Sequence, residues 1–112
     1  MDIKTDEILV KGKKFSYIEE GNEIARAFLY ILKNDLHDEP FGFLEDVFVD
    51  DSYRGRGYGS ELVKKVIEES RKEGCYKLIC TSRYSKPEVH RLYENLGFTD
   101  HGKEFRIDLL PE

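Results

Sequence analysis

The sequence predicts an α/β (α+β) protein with a mixed, mostly antiparallel sheet, one parallel strand–helix–strand unit and two main helices. Two strand-like runs, "FSYIEE" (15–20) and "EIARAFLYIL" (23–32), flank a Gly-Asn pair that is typical of hairpin turns. Two later segments carry apolar residues at helical spacing. A strand-like run stands on each side of the first of these segments, and such a crossover makes its two strands parallel.

The predicted element order is β-β-β-α-β-α-β-β. The third strand is "FGFLEDVFV" (41–49), which follows a turn region rich in polar residues. The first helix runs from Ser60 to about Glu73 and stops at Gly74, because glycine is the usual residue after a helix end. Its expected buried stripe consists of Leu62, Val63, Val66 and Ile67.

The rest of the chain adds a strand, a helix and a hairpin. The strand is "CYKLICT" (75–81). Pro87 suits the first turn of the second helix, which Gly97 closes. The expected stripe of this helix consists of Val89, Leu92, Tyr93 and Leu96. The segment "FTDHGKEFRIDLL" (98–110) reads as a final hairpin that turns near His101-Gly102.

Length and composition favour one cytoplasmic domain over residues 1–112. The chain has 18 Lys and Arg against 23 Asp and Glu, a net charge of −5, which disfavours nucleic acid and anionic membranes as partners. We see no leader sequence, and the longest apolar run (27–32) is too short for a membrane span. Two cysteines, Cys75 and Cys80, lack the spacing of a disulfide framework or a zinc site, so no metal is expected.

The segment "DDSYRGRGYGSELV" (50–63) carries glycine at every second position between a strand and a helix. Its spacing fits neither the dinucleotide pattern GxGxxG nor the Walker pattern GxxxxGK[ST]. The start of a helix attracts anions, because its N–H groups are unpaired and the helix dipole is positive there. We therefore favour a phosphate-binding loop over the plain alternative of a flexible surface turn.

Two motifs resemble those of the GNAT superfamily of acyl-CoA N-acyltransferases. Arg54, Gly57 and Gly59 fill the fixed positions of its loop pattern [RQ]-x-x-G-x-[GA], and "HRLYENLGF" resembles its Tyr-x-x-x-Gly-Phe helix end. The resemblance covers about residues 41–108 and is nearest in motif to the glucosamine-6-phosphate and aminoalkylphosphonate N-acetyltransferase branches. It implies a GNAT fold, with the N-terminal helices reduced or absent because little chain precedes the first hairpin.

The resemblance also implies that acetyl-CoA (coenzyme A) is the cosubstrate. Backbone groups of one strand would pair with the pantetheine arm, and the following loop would hold the diphosphate. The implied cofactor-binding residues are Val47, Phe48, Val49, Arg54, Gly55, Arg56, Gly57, Tyr58, Gly59 and Ser60.

Three side chains are candidates for the chemistry. A primary amine is protonated at neutral pH and must lose a proton before it attacks a thioester, and Glu45 or Asp46 is placed to accept that proton. Successive strand residues face opposite sides, so only one of the two points into the site unless a bulge intervenes. By resemblance, Tyr93 protonates the leaving thiolate, although its helical stripe alone would make it a core residue.

The function implied is transfer of an acetyl group to a small-molecule amine by direct attack in a ternary complex. Neither cysteine has a nearby base, which disfavours an acyl-cysteine intermediate. Two alternatives stay open: an acyl-CoA-binding or sensory module without efficient turnover, and a protein or peptide N-acetyltransferase. The short N-terminal stretch suggests that a second copy completes the pocket, so we expect a homodimer.

Overall fold

The computed structural model describes residues 1–111 as two compact units, Met1–Cys80 and the chain from Thr81 onward. The first unit holds a four-stranded sheet in the order β1-β2-β3-β4. β1 and β2 are antiparallel, β2 and β3 are antiparallel, and β3 and β4 are parallel. The mixed, mostly antiparallel sheet is therefore confirmed. The strands are β1 (Lys11–Glu19), β2 (Asn22–Leu32), β3 (Phe41–Val49) and β4 (Leu78–Ile79).

The first hairpin turns one residue earlier than predicted. Its two loop residues are Glu20 and Gly21, with φ angles of 51° and 80°, and Asn22 is already paired with Glu19 in the ladder. Positive φ at both loop residues is the geometry of a type I′ turn, which matches the right-handed twist of the strands. The predicted Gly21-Asn22 turn is wrong because it would remove Asn22 from that pair.

Helix α1 (Tyr58–Lys72) packs on one face of the sheet and forms the core with β2 and β3. It begins two residues before the predicted Ser60, and residues 54–57 separate it from a short 3₁₀ turn at Asp51–Tyr53. Three of the four predicted stripe residues are buried, and Ile67 is half-buried at the margin. The buried apolar residues are Ile24, Ala25, Ala27, Leu29, Leu44, Leu62, Val63 and Val66. Within residues 1–111, no helix has both the length and the apolar character needed to cross a membrane.

Strand β4 is much shorter than the predicted 75–81. Only Leu78 and Ile79 pair with β3, opposite Gly42 and Phe43. The N–H of Cys75 instead donates to the carbonyl of Ser70 and closes the end of α1, so the segment enters the sheet late.

The second unit contains helix α2 (Pro87–Asn95), which begins at the predicted proline. The four predicted stripe residues are all half-buried. No strand forms in residues 98–111, so the predicted C-terminal hairpin is wrong for this described segment. Its apolar alternation finds no surface that covers it, because Phe105, Ile107 and Leu109 are 90%, 80% and 83% exposed.

Candidate active site

The second half of β3 lacks a neighbour on its β4 side. β3 and β4 are paired only at Gly42–Leu78 and Phe43–Ile79, and within residues 1–111 no strand pairs with β3 on that side beyond Phe43. An unpaired strand edge presents N–H and C=O groups in the register of a missing strand. Val47, Phe48 and Val49 lie in this half of β3, and alternate residues direct their backbone groups to its open edge.

A β-bulge lies in the same part of β3. Arg26 is paired with Phe48 and Phe28 with Glu45, so one residue of β2 stands opposite two of β3. Asp46 is the bulged residue and has a φ of 52°, in the left-handed region that aspartate tolerates better than most residues. Because a bulge is present, Glu45 and Asp46 need not face opposite sides of the sheet.

The two candidate carboxylates have different surroundings. Arg26 Nε donates to Asp46 Oδ2 at 2.8 Å, and Arg26 Nη2 donates to Oδ1 at 3.3 Å. These charge-assisted bonds from Arg26 hold the pKa of Asp46 below its usual value. Glu45 is exposed, follows buried Leu44 and is paired with Phe28, so its side chain lies on the sheet face away from α1.

The chain after β3 turns through a short, well-bonded segment. Asp50 Oδ1 accepts the N–H of Ser52 at 3.0 Å and caps the 3₁₀ turn. Arg54 Nε donates to the carbonyl of Val49 at 3.1 Å, and Arg54 Nη1 contacts Asp51 Oδ1 at 2.8 Å. These contacts fold the loop back onto the end of β3.

The start of α1 is left open. Its N-cap is Gly57, with a φ of 89° and no side-chain cap. The first hydrogen bond of the helix joins the N–H of Glu61 to the carbonyl of Gly57 at 3.0 Å. In the part of the chain that the structure describes, no acceptor meets the N–H groups of Tyr58, Gly59 and Ser60. This is the geometry of an anion-binding helix start.

Gly59 brings α1 close to β3. A Cβ built at this position would lie 3.6 Å from Val49 Cγ2, an ordinary contact distance, so alanine would fit and a larger side chain would press on Val49. The loop pattern allows glycine or alanine here, in agreement with this spacing. The helix start is thereby held beside the open edge of β3.

Aromatic and basic side chains surround the loop. The ring of Tyr58 lies edge-on to those of Tyr17 and Tyr53, with centroids 4.9 and 5.9 Å away. The Arg56 guanidinium lies over the Tyr53 ring at 5.2 Å and is exposed. Of the two loop arginines, Arg54 is committed to an ion pair with Asp51, while Arg56 is held by a weaker cation–π contact.

Helix α2 ends in a Schellman motif that contains Tyr93. The N–H of Phe98 donates to the carbonyl of Tyr93 at 3.0 Å, and that of Gly97 donates to Glu94 at 3.1 Å, with Gly97 at a φ of 105°. The rings of Tyr93 and Phe98 pack with centroids 5.4 Å apart. The sequence motif Tyr-x-x-x-Gly-Phe is therefore a helix end that fixes a half-buried tyrosine.

The two cysteines have thiols of low reactivity. Burial raises the pKa of the Cys80 thiol to about 11. Burial, and to a smaller extent the charge of Glu73, raises the pKa of Cys75. Both thiols are therefore almost wholly protonated at neutral pH, the opposite of an activated nucleophile.

All the predicted site residues except Tyr93 lie in the first unit, on the second half of β3 and on the loop and helix start that follow it. Tyr93 lies on α2 in the second unit. The first-unit residues are Glu45, Asp46, Val47, Phe48, Val49, Arg54, Gly55, Arg56, Gly57, Tyr58, Gly59 and Ser60. Arg26 was not predicted as a site residue, although a basic residue between Ala25 and Ala27 in a strand can signal a partner on the opposite sheet face.

Comparison with known proteins identifies the family of the chain. The family model described as "Acetyltransferase (GNAT) family" matches residues 3–98. Glucosamine 6-phosphate N-acetyltransferase of Trypanosoma brucei brucei is 48% identical over 69 residues, which are 61% of this chain and 44% of that protein. N-alpha-acetyltransferase 30 of Xenopus laevis is 33% identical over 81 residues, 70% of this chain and 30% of that protein.

A solved structure of a Trypanosoma brucei acetyltransferase has the same fold. It superposes with a TM-score of 0.76 at 37% identity, over 89% of this chain and 69% of that chain. The matched curated relatives are longer than this chain. The match covers less than half of the length of the trypanosome glucosamine 6-phosphate enzyme.

Proposed function

The chain belongs to the GNAT acetyltransferase family, and we propose that it transfers an acetyl group from acetyl-CoA to the primary amine of a small molecule by direct attack in a ternary complex. One observation carries this proposal: the open helix start of α1 directly follows the half of β3 that lacks a neighbouring strand. The first feature suits a phosphate, and the second suits an extended, amide-containing chain.

Acetyl-CoA would supply the activated acetyl thioester. The N–H groups of Tyr58, Gly59 and Ser60 are suited to bind its diphosphate, helped by Arg56. The open backbone edge at Val47–Val49 is suited to hydrogen-bond its arm. A backbone N–H of this edge would also stabilise the negative charge that develops on the thioester oxygen.

Glu45 is the better of the two carboxylates for the amine proton. It lies beside the bulge, exposed on the sheet face away from α1, and it carries no ion pair in the described residues. Asp46 is bound by Arg26 through two hydrogen bonds, so a proton on Asp46 would break charge-assisted contacts. We assign Asp46 to the conformation of the bulge and Glu45 to the amine.

Tyr93 is proposed as the group that protonates the leaving thiolate. A phenol has a pKa of about 10, above the value of about 8.5 for an ordinary thiol, and it stays protonated at neutral pH until the thiolate forms. The rigid end of α2 supports the role, because the ring is held by Phe98 and by the helix-ending hydrogen bonds. The raised pKa values of Cys75 and Cys80 support direct transfer over an acyl-cysteine route.

The similarity to a glucosamine 6-phosphate enzyme makes an amino sugar phosphate the first substrate to test. A second candidate function is acetylation of a protein or peptide amine. It is favoured by the similarity to an N-alpha-acetyltransferase and by the net charge of −5, which attracts basic substrates.

We also expect a homodimer in which the partner helps to wall the amine pocket, and a cytoplasmic location. Residues 1–10 form neither helix nor strand. Light scattering at micromolar concentration tests the dimer, and a monomer would contradict it.

The deciding experiment measures thiol release from acetyl-CoA with a panel of amines. The panel contains glucosamine 6-phosphate, an aminoalkylphosphonate, a polyamine and a basic peptide, with calorimetry of acetyl-CoA alone as the binding control. Turnover with the amino sugar or the aminophosphonate supports the proposal, and turnover with the peptide alone supports the second candidate. Tight binding without turnover would favour a sensory module instead.

A further inference from the structure

The bulge in β3 holds a non-glycine residue in an unfavourable conformation. Asp46 has a φ of 52°, and the left-handed conformation costs about 1–2 kcal/mol for most residues that carry a side chain and less for aspartate. Such residues persist where the surroundings hold them, and they concentrate at functional sites. The bulge therefore needs a stabilising contact from outside β3.

Arg26 provides that contact from the neighbouring strand. Its guanidinium donates two hydrogen bonds to the Asp46 carboxylate, at 2.8 and 3.3 Å, and lies 4.5 Å from the centroid of the Phe48 ring. The side chain thus contacts the residues on both sides of Val47, whose backbone lies on the open edge. Only a planar, forked donor can bind a carboxylate through two bonds and also stack on a ring.

A second set of contacts holds Arg26 in place. Glu23 Oε2 lies 3.5 Å from Arg26 Nη1, and Glu23 is itself bound by Lys14 and by the hydroxyl of Ser16 at 3.1 Å. Charges of opposite sign alternate along Lys14, Glu23, Arg26 and Asp46 on the sheet face away from α1. The guanidinium is therefore fixed from two sides while remaining 30% exposed.

We infer that Arg26 is a positioning residue for acetyl transfer: it holds Asp46 in the bulged conformation and thereby aims the backbone groups of Val47. The inference rests on the proposed function, in which those groups bind the thioester arm and its oxygen. Arg26 contacts neither substrate. It acts through the backbone of β3.

The variants Arg26→Gln and Arg26→Gln/Asp46→Gly test this role in the full chain. Glutamine removes the fork, so we expect kcat with glucosamine 6-phosphate, or with the best amine of the panel, to fall about 10-fold or more. The KM for acetyl-CoA should change by less than about threefold, because only an interaction made in the transition state is lost. Glycine adopts positive φ without a clamp, so the double variant should regain most of the lost kcat.

Lys13→Gln is the matched control. Lys13 has the same side-chain exposure of 30% and also forms ion pairs, with Glu69 and Glu73, but it lies on the α1 side of the sheet. A loss of kcat in Arg26→Gln no larger than in Lys13→Gln would overturn the inference. A loss that Asp46→Gly fails to rescue would also overturn it, because Asp46 would then act through its carboxylate.

An NMR measurement tests whether Arg26 holds the conformation of Asp46, and it does not depend on turnover. A residue with positive φ gives a strong intraresidue NOE between its amide proton and its Hα, and this signal at Asp46 should be strong in the wild type and in Lys13→Gln. It should weaken in Arg26→Gln and, if that variant does not fold, in Arg26→Lys. If the NOE at Asp46 stays strong in the variant, the inference is rejected even if the protein is active. If no amine of the panel is acetylated, the NOE test can still be made.

Discussion

The two helices end in the same way and begin differently. Each ends in a Schellman motif, with Gly74 after α1 and Gly97 after α2 at φ angles of 77° and 105°. At their starts, α1 follows an uncapped, left-handed Gly57, whereas α2 follows Lys86 and places Pro87 in its first turn. Because proline has no N–H, the start of α2 has one unpaired N–H group fewer than the start of α1.

The difference shows where the chain has given up stability. A Ser, Thr, Asp or Asn in ordinary N-cap geometry would stabilise α1 by only a few tenths of a kcal/mol relative to glycine. The N-cap of α1 is instead a glycine, and no side chain occupies the space in front of its first N–H groups. The matching ends follow general rules of helix termination, while the bare start of α1 is consistent with the proposed anion site.

The largest expected effect comes from placing a charge at the bare helix start. Gly57→Asp should weaken acetyl-CoA binding by more than about 100-fold, because the carboxylate occupies the anion site and the side chain strains a φ of 89°. Calorimetry with acetyl-CoA measures the affinity. Unchanged affinity would reject the assignment of this loop.

Gly74→Asp is the control at the other end of the same helix. Its φ of 77° imposes a similar backbone strain, and its charge lies at the negative end of the helix dipole, so urea unfolding should show a loss of stability at least as large as in Gly57→Asp. Acetyl-CoA affinity should fall only in Gly57→Asp. Equal losses of affinity would mean that helix stability, and not the anion site, governs binding.

A smaller effect is expected at the end of α2. Tyr93→Phe should lower kcat by about 10–100-fold with little change in acetyl-CoA affinity, because it removes a proton donor and keeps the ring that packs on Phe98. Tyr84→Phe, at an exposed tyrosine of the same unit, is the control. Retained turnover in Tyr93→Phe would remove the acid role from the end of α2.

The smallest effect is expected at the cysteines. Cys75→Ser/Cys80→Ser should keep kcat within about twofold, because thiols with raised pKa values are poor nucleophiles. In the wild type, iodoacetamide labelling of Cys80 should be slow at neutral pH and should accelerate as the pH rises toward about 11, where its thiolate forms. Loss of turnover in the double variant would contradict direct transfer.

Local chemistry explains which parts of the fold were predictable from the sequence. Gly74, Gly97 and Pro87 act within a few residues of themselves, and each marks a helix boundary in the structure as predicted. The loop glycines are a similar case. Positive φ at Gly57 and the close approach of Gly59 to Val49 are properties of the backbone that glycine reports directly.

Features that depend on distant partners were missed or wrong. The apolar run 75–81 has the composition of a full strand, but only two of its residues pair with β3. The composition of 98–110 suits a hairpin, yet no strand forms there in the described chain. Arg26 could not be linked to Asp46, 20 positions later, without the strand register that brings them together. Strand pairing is non-local, and composition alone does not determine it.

The half-unpaired β3 has a cost for the protein when no ligand is present. An edge with free N–H and C=O groups is a template on which any extended peptide, including a misfolded copy of this chain, can add itself. Occupation of that edge by acetyl-CoA would therefore also protect the protein against aggregation. On the proposed function, a cell depleted of acetyl-CoA would lose soluble protein as well as acetyl transfer.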